Sequence, residues 1–222
     1  MDYFDCENCT MLVDKSGLQP LIFAMHTASL DVHGFLLESK VKMVITEIAI
    51  QAGEFTHQTY DQNLFSGSHV VNNSTVTIDD ISNNNYVISS ADGVLTTANV
   101  DNNGYEIGVL SEQYSEGNNC LWETSKYWRK LSEPDKSIIY AARYLTFHNE
   151  KFFILVNDSD IINQLHIEGF QYLRNSTFLS WMVKSGYISY QKGTRVYREW
   201  QSYDPRWVKK DIPFGNILQN FN

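Results

Sequence analysis

The stretch FFILVNDSDI, residues 152–161, carries five consecutive apolar residues, Phe152 to Val156, and then breaks into Asn157, Asp158, Ser159 and Asp160. A short run rich in Phe, Ile and Val is the pattern of a strand covered on both faces, as in a parallel sheet, although a buried helical turn shares that pattern. In open α/β sheets, ligand chemistry sits just past the carboxyl ends of such strands. Asp158 and Asp160 therefore stand where a site is expected.

Working outward, TMLVDKSGL (10–18) is a second apolar run, closing on Asp14. VKMVITEIAIQAGEF (41–55) reads as a strand from Val41 to Thr46 that turns directly into a helix, with Thr46 as its N-cap. Glu47 and Glu54, seven residues apart, fall on nearly the same face of that helix. Between these strands, residues 21–40 carry apolar residues at helical spacings, with a break expected near His33 and Gly34. Upstream of the opening stretch, LSEPDKSIIYAARYL predicts a helix capped by Ser132, with Glu133 and Pro134 in its first turn and Ile138, Ile139, Ala142 and Leu145 facing the core. Asp135 lies in that first turn, where a carboxylate can also serve merely as a dipole or capping partner. Downstream, IINQLHIEGF predicts a helix ending at Gly169, QYL a short strand, and STFLSWMVKSGYIS a helix finishing at Gly186. Strand and helix alternate, which is the mark of an α/β fold with a mostly parallel central sheet.

The texture changes between about 57 and 115, where β-branched runs such as STVTI and YVIS alternate with Asn, Asp, Ser and Gly. Short antiparallel strands and turns are expected there, a β-rich, Asn-rich insertion within a single domain spanning 1–222, and its acids Asp79, Asp80 and Asp92 read as turn and surface residues.

A net charge of -9 opposes simple electrostatic attraction to nucleic acid. The charge is uneven, however. Lys184, Lys192, Arg195, Arg198, Arg206, Lys209 and Lys210 face only Glu199 and Asp204 over the same span, interleaved with Tyr187, Tyr190, Tyr197, Trp200, Tyr203 and Trp207. A basic, aromatic arm at about 187–222 suits a single-stranded nucleic acid, whose phosphates pair with cations and whose bases stack on rings; Lys192, Arg195, Arg198, Trp200, Arg206, Lys209 and Lys210 are its candidate contacts. The bland alternative is a strand pair or arm packing its aromatics on the domain.

Three cysteines, Cys6, Cys9 and Cys120, do not suggest a disulfide framework, and the lone C-x2-C lacks a second pair for zinc. The six histidines share no ligand spacing, and neither a G-x-S-x-G nor a Walker-type glycine loop occurs. The acidic N-terminus and the lack of a long apolar run predict a soluble chain without a secretion signal, acting in the cytoplasm and not at a membrane.

Asp14 follows the first strand, Glu47 or Glu54 the second, Asp158 and Asp160 the third, and Asp135 opens the helix that feeds the third. Right-handed crossovers keep such strands parallel, so these acids can converge on one edge of the sheet. Clustered carboxylates repel, and a hard divalent cation relieves the repulsion. Mg²⁺ or Mn²⁺ held in this way suits phosphodiester hydrolysis.

In order and character, MLVDKSGL, KMVITEIAIQAGE, LSEPDKSIIYAARYL, FFILVNDSDI and STFLSWMVKSGYIS resemble the PIN domain, a metal-dependent ribonuclease fold common in bacterial toxins and RNA processing. The resemblance covers roughly 10–56 and 130–190. It implies a three-layer α/β/α sandwich and a catalytic, metal-binding acidic tetrad of Asp14, Glu54, Asp135 and Asp158, with Asp160 beside it. Glu47 is the alternative second acid, since Glu54 fits only with two residues inserted. The function implied is an endoribonuclease acting on RNA, including a toxin restrained by an antitoxin or immunity protein. Two other readings stay open: a catalytically silent PIN-like module that binds RNA or protein, and an unrelated interaction module whose Asn-rich β section carries recognition.

Overall fold

The computed structural model describes residues 8–44, 46, 49, 52, 124–147, 149–208 and 213–219. The expected insertion at 57–115, and with it Asp79, Asp80 and Asp92, lies outside them, as do Glu47, Glu54, Lys209 and Lys210.

Four strands, β1 (Thr10–Val13), β2 (Lys42–Val44), β3 (Phe152–Leu155) and β4 (Tyr172–Leu173), form one sheet in the order β2-β1-β3-β4, with every pairing parallel. Thr10 stands opposite Lys42 on one side and Phe152 on the other, so β1 and β3 are the central strands. The unbroken apolar character of these two strands follows from the pleat, which sends alternate residues to opposite faces. Met11, Val13, Phe153 and Leu155 enter one buried cluster, with Leu21 of α1 (Lys15–Ala28), Phe35 of α2 (Val32–Glu38) and Phe178 of α5 (Asn175–Lys184). Leu12, Ile154 and Val156 enter the other, with Ile138, Ala142 and Leu145 of α3 (Glu133–Phe147) and Ile161 and Leu165 of α4 (Ser159–Glu168). Helices thus cover both faces of an α/β sheet. The chain runs from β1 to β2 through α1 and α2 on one face, and from β3 to β4, in the opposite direction, through α4 on the other, as right-handed crossovers require.

Two expectations need correction. The break in the first helical region falls at Ser29–Asp31 rather than at His33 and Gly34. Ser29 takes the left-handed conformation at φ 50°, and Asp31 Oδ1 accepts the Gly34 N–H at 2.8 Å, so an aspartate cap draws Gly34 inside α2. The C-terminal arm is not a strand pair or an open aromatic surface but packs Tyr197, Trp200 and Trp207 on the domain, as the bland alternative has it. Residues Tyr190–Tyr203 form α6, capped by the Ser189 side chain. Gly193, Val196, Tyr197 and Trp200 recur at helical spacing and bury its inner face against α1, α5 and the short α7 (Phe214–Gln219).

A polar knot under the second cluster was invisible in the sequence. Arg143, 1% exposed, donates from Nε and Nη2 to Glu168 Oε2 and Oε1 at 2.8 and 2.9 Å. Gln164 Nε2 donates to Glu168 Oε1 at 2.7 Å, and the guanidinium lies 5.0 Å from the centre of the Trp128 ring. Every charge in it is paired and hydrogen-bonded, which is the condition for burying ions at tolerable cost. No helix among the described residues is long and apolar enough to cross a membrane.

Two stability predictions follow from these contacts. A Cβ at Gly17 would stand 2.3 Å from Leu155 O and 2.7 Å from Leu155 C, both backbone atoms that cannot step aside. Gly17→Ala should therefore lower unfolding free energy by about 3 kcal/mol in urea titrations, and an unchanged midpoint would contradict the close seating of α1 on β3. Glu168→Ala strands the Arg143 charge and should cost about 3–5 kcal/mol by the same measurement; a loss under about 1 kcal/mol would show that the ion pair is not buried.

Candidate active site at the carboxyl edge of the sheet

β1 and β3 are neighbours, yet the chain leaves β1 toward β2 and leaves β3 toward β4. This is the topological switch point, where the connections part and a crevice opens beyond the carboxyl ends of the strands. Asp14 and Asp158 are the residues placed there.

Asp14 follows β1 directly and caps α1. Its N–H donates to Leu155 O at 3.0 Å, while its Oδ2 accepts from Ser16 N at 2.8 Å and from the Ser16 hydroxyl. The same Ser16 oxygen accepts from the backbone N–H groups of Asn157, at 2.9 Å, and Asp158, at 3.0 Å. Asn157 Nδ2 donates to Ser16 O at 2.9 Å and to Asn175 Oδ1, and Asn175 Nδ2 donates to Gly17 O at 2.6 Å. The ends of β1 and β3 and the start of α5 are thereby tied into one polar joint.

Asp158 caps α4, its Oδ1 accepting from Asp160 N at 2.7 Å and Ile161 N at 3.2 Å. Asp135 exchanges bonds with Ser132: Ser132 N donates to Asp135 Oδ2 at 2.9 Å, and Asp135 N to Ser132 Oγ at 3.3 Å. The helix start carrying Asp135 is moored to the end of β2. Ser137 gives its hydroxyl proton to Pro134 O at 2.6 Å, which leaves Thr46 to donate to Ser137 Oγ across 2.5 Å. Asp160 turns to Lys130, 3.7 Å away in an exposed ion pair.

The electrostatics record the convergence. Asp14 is 4% exposed, and its carboxyl is pushed from 3.8 up to about 6, chiefly by burial. The Ser16 hydrogen bonds oppose the rise, and the negative charges of Asp135 and Asp158 add to it. The charges of Asp135 and Asp158 thus reach Asp14, as smaller contributions than burial. Among the described residues, no three His, Cys, Asp or Glu side chains stand close enough together to form a complete metal-ligand set. The second acid, whether Glu47 or Glu54, belongs to the residues not described.

The expected nucleic-acid contacts are scattered. Trp200 is wholly buried and donates Nε1–H to Pro20 O at 2.7 Å, so its ring offers no face for a base; aromatic content was read there where helical periodicity mattered. Lys192 Nζ donates to Ser29 O at 2.9 Å, at the far end of α1 from Asp14, about 20 Å along the helix axis. Arg195 pairs with Glu199 at 2.9 Å and Arg206 with Asp204 at 2.6 Å. Arg195 and Arg198 line a shallow groove of about 480 Å³ along α6, beside the exposed Tyr190. Sequence reasoning missed Ser16 and Asn175, the residues that lock the joint. The short spacing of Asp14 and Ser16 was the available sign of the first. No protein-family model, curated protein or solved structure matches the chain.

The Asp14 shift carries a stability prediction in metal-free buffer. Its carboxyl holds a proton more tightly folded than unfolded, so stability falls as pH rises from 3.8 to about 6 and stays lower above that range. Asp14→Asn keeps an oxygen acceptor for Ser16 and removes the charge. It should raise the melting temperature at pH 7.5, by an amount equivalent to at most about 3 kcal/mol, with little gain below pH 4. An equal effect at both pH values would show that Asp14 is not titrating under this strain.

Proposed function

We propose that this chain is a Mg²⁺- or Mn²⁺-dependent endoribonuclease of PIN-like type, hydrolysing RNA phosphodiester bonds. One observation carries the reading: Asp14 and Asp158, far apart in sequence, stand at the switch point of a parallel sheet joined through Ser16, and the charges of Asp158 and Asp135 are both felt at Asp14. The ordered resemblance of the strand and helix segments to the PIN domain supports it further. A carboxyl raised chiefly by burial, and to a smaller degree by two nearby anions, is an environment that a divalent cation relieves, and carboxylate oxygens are the donors such an ion takes. Asp14 and Asp158 would hold it, with Asp135 and Glu54 or Glu47 completing the set. When bound, the ion supplies positive charge to a phosphodiester and acidifies a water. The chain's own part is positional: Ser16 fixes the Asp14 carboxylate and the Asp158 backbone together, and the Thr46–Ser137 bond sets the helix bearing Asp135. Restraint by an antitoxin or immunity protein belongs to the same proposal.

The second reading, a catalytically silent PIN-like module binding RNA or protein, draws on the fact that Asp135 and Asp158 both serve as helix caps. Incubation of single-stranded RNA with the purified chain and Mn²⁺ separates the two. The nuclease reading predicts cleavage that stops with EDTA and falls about 100-fold or more in Asp14→Asn and Asp158→Asn. RNA bound without turnover would favour the silent module, and RNA neither bound nor cut would remove the nuclease.

A further inference from the structure

Beyond the acids, the same sheet edge carries a cation delivered by the edge strand, Arg174. β4 is only two residues long and delivers Arg174 to the carboxyl edge, next to the strand that ends on Asn157 and Asp158. Arg174 occupies the N-cap position of α5, where Ser, Thr, Asp or Asn is usual, and its side chain makes no capping bond. The half-buried guanidinium reaches across to β3 instead, where Nη1 donates to Asn157 O over a long 3.4 Å. Arg143, Arg195 and Arg206 each hold a carboxylate, whereas Arg174 has no carboxylate partner among the described residues. A guanidinium presents five N–H donors in a planar fork, and one long bond to a carbonyl leaves most of them unspent.

We infer that Arg174 is a substrate-binding residue that takes a phosphodiester oxygen of RNA beside Asp158. The inference rests on the endoribonuclease reading and deepens it. A chain of net charge -9, with carboxylates gathered at its reactive edge, repels a polyanion, and a fixed cation at that edge must offset part of the repulsion. The Arg fork matches two phosphate oxygens, and the polar joint holds its neighbours rigidly: Asn157 is fixed by Ser16, and Asn175, next to Arg174 in the chain, is bonded to both Asn157 and Gly17. A second cation, Lys130, pairs with Asp160 two residues further on, at 3.7 Å. The basic residues of α6 have no such placement, because Lys192 is anchored at the opposite end of α1.

Anisotropy of a fluorescent single-stranded RNA, read against NaCl concentration in EDTA, tests this with the full chain carrying Asp14→Asn to prevent turnover. Adding Arg174→Gln, which keeps a donor for Asn157 O and removes the charge, should weaken affinity about tenfold and reduce the slope of log K against log salt by about 0.7. The melting temperature should stay at the parent's value, and Arg174→Lys should recover the slope but only part of the affinity. Unchanged affinity and slope in Arg174→Gln would overturn the assignment while leaving the nuclease reading intact. Failure of the Asp14→Asn parent to bind RNA would overturn both. A loss of affinity with an unchanged slope would likewise overturn it, since only a structural role for Arg174 would produce that result.

Discussion

The Ser16 hydroxyl is the joint on which the rest of this edge depends. It donates to Asp14 and accepts from the backbone N–H groups of Asn157 and Asp158, which spends its one proton and both lone pairs. Without it, two donors at the end of β3 would be left without their partner, and the Asp14 carboxylate would keep only the Ser16 backbone N–H of the two Ser16 contacts that hold its charge. Parallel pairing brings β1 and β3 together, but pairing alone leaves the residues beyond the strands undirected. The hydroxyl directs them, and the Asn157–Asn175 bonds carry the same register on to α5 and Arg174.

The cost of this arrangement falls on Asp14. A nearly buried carboxyl beside two further carboxylates favours its protonated form, and the Ser16 bonds recover only part of what burial removes. Strain of this kind belongs to functional sites as often as to structural networks, and the two differ in what relieves it. The Arg143–Glu168 pair is relieved internally, each charge meeting its opposite at hydrogen-bond distance. At Asp14 the Ser16 hydrogen bonds oppose the rise, and no basic side chain among the described residues adds to them.

Much of the site was legible because it rests on local rules. Apolar runs ending in polar residues marked β1 and β3, Ser132 marked the start of α3, and Gly169, at φ 77°, marked the end of α4. The parallel sheet, and with it the placing of Asp14 and Asp158 just past the ends of neighbouring strands, followed from strand and helix alternation. What stayed hidden is what tertiary context decides. Trp200 is apolar surface for α1 because positions 193, 196, 197 and 200 share a helix face, a period obscured by the lysines and arginines between them. Arg143 and Glu168 lie 25 residues apart on different helices, and nothing local announces that each is the other's partner. Asp160, two residues after Asp158 in the motif, is expected as a ligand, but about half a turn of α4 separates the two, and Asp160 pairs with Lys130 at 3.7 Å.

The central claim is that the coupled carboxylates form the seat of a divalent cation, and anomalous diffraction from crystals of the full chain soaked in Mn²⁺ addresses it most directly. The account predicts a manganese peak within about 2.0–2.6 Å of carboxylate oxygens from both Asp14 and Asp158. Millimolar Mn²⁺ that leaves this edge without a peak, or that binds only at surface carboxylates elsewhere, would contradict it.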